Sequence, residues 1–173
     1  RIGYVIKTQN KENDKYLIIF TGAGYRKLFS KLIALEEQAP KLELFRAQAF
    51  IKPMQNTEEI KQGQDAPILC QNYTVKISEL QFPLLEFNVA TKQLKIAIYI
   101  INYNEIQEFE QLYDDIKWII MEIIGEIKYR KHIKQFELKQ LPQNQIGLLD
   151  FIDLQEYIDY LYLISSRKKT IMI

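Results

Sequence analysis

The chain has 173 residues, 47% of them hydrophobic and 26% charged, with 23 Lys and Arg against 22 Asp and Glu. That is the composition of a folded protein rather than a disordered one. The length suits a single domain, 1–173, that buries roughly 70% of its unfolded surface without a metal or a disulfide. A net charge of +1 weighs against a dedicated nucleic-acid binder, and the single cysteine, Cys70, excludes an internal disulfide and a multi-cysteine zinc site.

In chain order, "IGYVIK" (2–7) and "YLIIFT" (16–21) read as two strands joined by the polar connector "TQNKENDK". Apolar residues at 25, 28, 29, 32, 33 and 35 then fall at helical spacing, and Pro40 closes that helix. "LELFRAQAFIK" (42–52) is the next strand. The segment 54–72 holds turn formers and little periodicity, which predicts a long loop with one helical turn at 57–61. "YTVKI" (73–77) alternates as a half-buried strand, and 84–90 with 93–101 predict an antiparallel hairpin turning at Thr91–Lys92.

Asn104, with Gln107 three residues on, is placed to cap a second long helix. Its apolar stripe runs Ile106, Phe109, Leu112, Tyr113, Ile116, Ile119, Ile120 and Ile123, and Gly125 supplies a left-handed stop. "EIKYRKHIKQFEL" (126–138) reads as a strand. Asp153 and Glu156 have the spacing of a capping box for a last helix to about Ser165, and the tail "RKKTIMI" frays or adds an edge strand.

The order predicts an α+β fold: a two-layer α/β sandwich with a predominantly antiparallel sheet, two long helices on one face, and a C-terminal helix. No window reaches 18 apolar residues, so no transmembrane helix and no membrane partner is expected. The first residue, Arg1, fits the removal of a leader, tag or upstream segment. A cytoplasmic location is the expectation.

The turn "TGAG" (21–24) between a strand and a helix raises the question of a phosphate cradle. A Walker A loop needs GxxxxGK[ST], but Gly22 and Gly24 are two apart and Lys27 precedes Leu28. A dinucleotide fingerprint needs a third glycine where Lys27 stands. With no parallel βαβ unit expected around it, the turn reads as structural, glycine supplying dihedrals that other residues resist. No cofactor or metal site is predicted.

On a strand, Lys128, Arg130, His132 and Lys134 alternate onto one face. They form a cationic stripe suited to phosphate, RNA or an acidic protein, or else a solvated face paired with acids such as Glu86. His132 is the only histidine, and nothing in the spacing brings it to Cys70. Trp118 falls off the main stripe of its helix, either packing at a sheet edge or anchoring a partner. Tyr157 and Tyr162 lie on the apolar side of the last helix, as core or as a homodimer contact.

The segments "GYRKLFSKLIALEEQAPKLELFRAQAFIKP", "WIIMEIIGEIKYRKHIKQFEL" and "DLQEYIDYL" resemble a group of small uncharacterised bacterial proteins. In that group a helix leads through "AP" into a strand, and a later helix ends in "GE". The resemblance implies an immunity or accessory role by association and carries over no functional residue.

The expectation is thus a non-enzymatic binding protein whose partner is another protein, in an immunity or regulatory role. Its candidate contacts are Lys128, Arg130, His132, Lys134, Tyr157 and Tyr162, with no catalytic residue assigned. The alternatives are a small hydrolase using His132 with a carboxylate, and a nucleic-acid module using the basic strand at 128–134.

Overall fold

The computed structural model describes residues 1–8 and 16–167. The polar connector and the tail of the sequence reading fall, but for their first residues, outside that range. Strand β1 (Gly3–Thr8) pairs antiparallel with β2 (Tyr16–Thr21), whose side chains alternate so that Leu17, Ile19 and Thr21 point inward. A 3-10 turn over Arg26–Leu28 leads into α1 (Phe29–Glu37), and the chain returns as β3 (Phe45–Ala49), parallel to β2.

This corrects the sequence reading: β2, α1 and β3 form a parallel βαβ unit around the glycine turn. The stretch between the two strands is long enough for a helical crossover, which a parallel pair requires.

The segment after β3 carries α2 (Glu58–Lys61), at the expected helical turn, and a two-stranded ribbon of β4 (Ile68–Leu69) and β5 (Thr74–Val75). Next come β6 (Gln81–Phe82), β7 (Leu84–Asn88) and β8 (Gln93–Ile100), of which β7 and β8 make the predicted hairpin. β8 is the centre of a five-stranded sheet. It pairs antiparallel with β6 and β7 and parallel with β9 (Ile133–Gln140), while β10 (Leu149–Asp150) pairs with β6.

The strands therefore do not form the one sheet that their order suggests. They divide into three sheets among the described residues. Five of the seven pairings are antiparallel, so the α+β class and the antiparallel bias stand.

The second long helix is broken. α3 (Tyr103–Ile106) ends in tight i→i−3 bonds from Phe109 N–H to the Ile106 carbonyl and from Leu112 N–H to the Phe109 carbonyl, before α4 (Leu112–Ile124) begins. At the break, Phe109 stacks on Tyr73, ring centroids 5.0 Å apart.

α4 buries two sides. Ile116, Ile119, Ile120 and Ile123 enter the large core against β8 and β9. Met121, with the half-buried Trp118, enters a smaller core with Leu17, Ile19 and Ile51. Trp118 thus packs inward against the three-stranded sheet.

Gly125 ends α4 at φ 81, ψ 148, a region open essentially to glycine, and a Cβ there would stand 2.9 Å from Pro53 Cδ. The chain then forms α5 (Glu126–His132), not the predicted strand, which starts only at Ile133. The last helix, α6 (Leu154–Arg167), follows a 3-10 turn over Phe151–Asp153. Its expected capping box is replaced by ion pairs: the Asp153 and Glu156 carboxylates share the Lys61 ammonium at 3.2 and 3.0 Å. No helix among the described residues is long and apolar enough to cross a membrane.

Candidate functional site

The glycine turn lies at the C-terminal end of β2, where ligands of α/β units commonly bind. Its donors converge on an anion, and the anion is the chain's own Glu126. Gly22 and Gly24 N–H each donate to Glu126 Oε1 at 3.0 Å. The Thr21 hydroxyl and Ile51 N–H donate to Oε2 at 2.8 and 3.3 Å. Thr21 Oγ1 also accepts from Ala23 N–H at 2.9 Å, fixing the turn.

The Glu126 side chain is wholly buried, and no cation pairs with it among the described residues. Its charge is met by donors aimed at both oxygens, an arrangement that satisfies a buried carboxylate without an ion pair. The donors of the glycine turn are thus occupied from within.

Glu126 is also the first residue of α5, so the same bonds fix α5 against the segment after the turn. Between the two runs a groove of about 490 Å³. Arg26 and Phe29 line it on one side, Ile127, Arg130 and Lys131 on the other, with Gln93 from the start of β8. Arg26, Arg130 and Lys131 are exposed, and among the described residues none has a carboxylate within ion-pair distance. Ile127 presents an apolar side chain that is 53% exposed. Among the described residues no acid lines the groove.

The residues proposed from sequence are dispersed. Because 126–132 is helical, Lys128, Arg130, His132 and Lys134 share no strand face, and the cationic stripe does not exist. Lys128 is held by the Asp159 carboxylate of α6 at 2.8 Å, and Arg130 lines the groove. Lys134 is exposed on β9 near Glu86, whose acidity it helps to raise after Lys95. Tyr157 packs edge-on against Phe82 at 5.7 Å. Tyr162, 45% exposed, gathers cations instead: Lys131 and Lys92 lie over its ring at 5.2 and 5.7 Å.

His132 is buried, with Nδ1 2.9 Å from the Lys92 carbonyl oxygen. A carbonyl only accepts, so the neutral ring carries its proton on Nδ1. Burial holds its pKa below the ordinary 6.5, against the opposing pull of that carbonyl. No carboxylate bonds to the ring among the described residues.

Cys70 sits elsewhere, beside Tyr73, whose hydroxyl donates to Asp115 Oδ2 at 2.5 Å. Burial, and then the nearby Asp115, push the thiol's pKa up. Burial and the bond to Asp115 push that of Tyr73 up as well. A thiol so placed is kept protonated, the opposite of an activated nucleophile. Among the described residues no group of three or more His, Cys, Asp or Glu is placed to hold a metal.

Sequence reasoning missed Glu126 as the anchor, and Arg26, Phe29, Ile127 and Lys131 as a common wall. One signal was present: Lys131 sits where the strand pattern demands an inward apolar residue. No protein-family model matches the chain, and no curated protein or solved structure matches it either.

Proposed function

We propose that the chain is a non-enzymatic binding protein that engages an acidic surface of another protein through the groove beside α5. One observation carries this reading. Three exposed cations, Arg26, Arg130 and Lys131, converge on a groove with apolar walls and, among the described residues, no acid of its own. Unpaired guanidinium groups beside exposed apolar surface are the elements from which protein contact sites are made. A partner of that kind suits a stoichiometric regulatory protein, an immunity protein among them.

A hydrolase built on His132 finds no comparable support. Its ring is buried against a main-chain carbonyl, and the thiol of Cys70 is held neutral beside other residues. The nucleic-acid alternative rested on a stripe that the helical α5 removes.

The reading is tested by titrating isotope-labelled protein with a glutamate-rich peptide and following backbone amide shifts. The expected changes cluster at 26–29 and 127–131 and fade with added salt, as exposed charge pairs do. Changes scattered elsewhere, or none, overturn the reading.

A further inference from the structure

A second depression adjoins the groove. It encloses about 170 Å³ between Phe50, Ile51, Pro53, Ile124 and Ile127, with Lys52 and Lys128 at its rim. Ile127 lines both depressions. Phe29 of the groove packs edge-on against Phe50 of the pit, their ring centroids 4.8 Å apart. An apolar pit and a cationic groove therefore share one wall, and among the described residues neither is lined by an acid.

One residue lining the pit has an uncommon backbone. Phe50 has φ 65, in the left-handed region that bulky residues avoid. Its N–H donates to the Phe20 carbonyl at 2.9 Å, and its carbonyl accepts from the buried Gln48 side chain at 3.0 Å. Those two bonds hold the strained residue, whose ring meets that of Phe29. Strain maintained in this way is characteristic of sites preformed for binding.

We infer that the two depressions together receive one ligand: a short acidic segment of a partner protein bearing an apolar anchor residue. The anchor fills the pit between Phe50 and Ile127, and flanking carboxylates meet Arg130, Lys131 and Arg26. Charge complementarity selects this occupant. Among the described residues, the groove offers three cations without counter-charges, and Lys52 adds a fourth, also without an ion pair, at the rim of the pit. A neutral apolar segment leaves them unused, and a purely acidic one leaves the pit empty. The inference rests on the binding role proposed above and adds the chemistry of the partner.

Fluorescence anisotropy tests it with two labelled sets of synthetic glutamate-rich peptides. One set carries Leu, Ile, Phe or Trp as a central anchor; the other carries Ser there. At least one anchored peptide is expected to bind about tenfold more tightly than its Ser counterpart, the worth of one buried apolar side chain. Ile127→Asp is expected to remove that advantage, and Arg130→Glu to weaken both sets. Lys139→Gln, on β9 and outside both depressions, leaves binding unchanged. Circular dichroism and the melting temperature confirm that each variant is folded, as the exposure of the three residues favours.

Equal binding of both sets overturns the anchored segment and leaves the acidic-partner reading standing. Failure of both sets overturns both readings. So does binding that Arg130→Glu leaves unchanged, or binding of anionic lipid vesicles alone.

Discussion

The Thr21 hydroxyl donates to the Glu126 carboxylate at 2.8 Å across 105 residues of chain, with both side chains buried. The bond joins the end of β2 to the start of α5. With the amides of Gly22, Gly24 and Ile51 it positions both walls of the cationic groove.

Glu126→Ala leaves those donors buried without an acceptor and is expected to cost about 3 kcal/mol or more. Glu126→Gln keeps one acceptor but turns an amide against the remaining donors, so it falls between wild type and Ala. Urea midpoints of the three proteins check the order.

Gly125→Ala meets two obstacles together: a dihedral pair nearly closed to L-residues, and a Cβ 2.9 Å from Pro53 Cδ. A loss of about 3 kcal/mol is expected. Gly63→Ala is the control. Gly63 has φ 71 but nothing within 4 Å of an added Cβ, so about 1 kcal/mol is expected. Thermal melts distinguish a clash from backbone strain alone.

His132 links stability to pH. Its pKa lies below the ordinary 6.5 because burial disfavours the cation, so below that pH the unfolded chain binds more protons than the folded one. Its contribution is complete above about pH 6.5 and is lost as pH falls through the lower folded value. His132→Gln is expected to flatten the decline in unfolding free energy between neutral and mildly acidic pH, read from urea curves at each pH.

Cys70 is expected to react slowly with a thiol reagent at mildly alkaline pH and quickly once the chain is unfolded, because burial and Asp115 disfavour its thiolate. Tyr73→Phe removes the donor to Asp115 and is expected to cost about 1 kcal/mol. With Asp115 left in place beside it, Cys70 of this variant is expected to stay slow to label while folded. Faster labelling of the folded variant refutes this account.

The elements legible in the sequence are those whose pattern is local. The apolar run "YLIIFT" and the apolar stretch "QLKIAIYI" marked β2 and β8. The isoleucines of 112–124 marked α4, though the role of Met121 in a second core was not visible there.

The stretch 126–132 defeated the same reasoning for a physical reason. Seven residues are too few for periods of 2 and 3.6 to separate when Ile127 and Tyr129 satisfy the shorter one. The helix there starts at Glu126, whose carboxylate is fixed by amides 75 to 104 residues away in the chain, a constraint no local window contains. The parallel return of β3 was hidden likewise, since strand direction is set by the crossover rather than by the strand's own residues. The groove depended on both, so its walls could not be assembled from spacing alone.

Because one carboxylate plugs the bend after β2, the donors there are already taken, and an external oxyanion meets no free amide at Gly22 or Gly24. What elsewhere receives a ligand serves here as internal mortar between the end of one strand and the start of a distant helix.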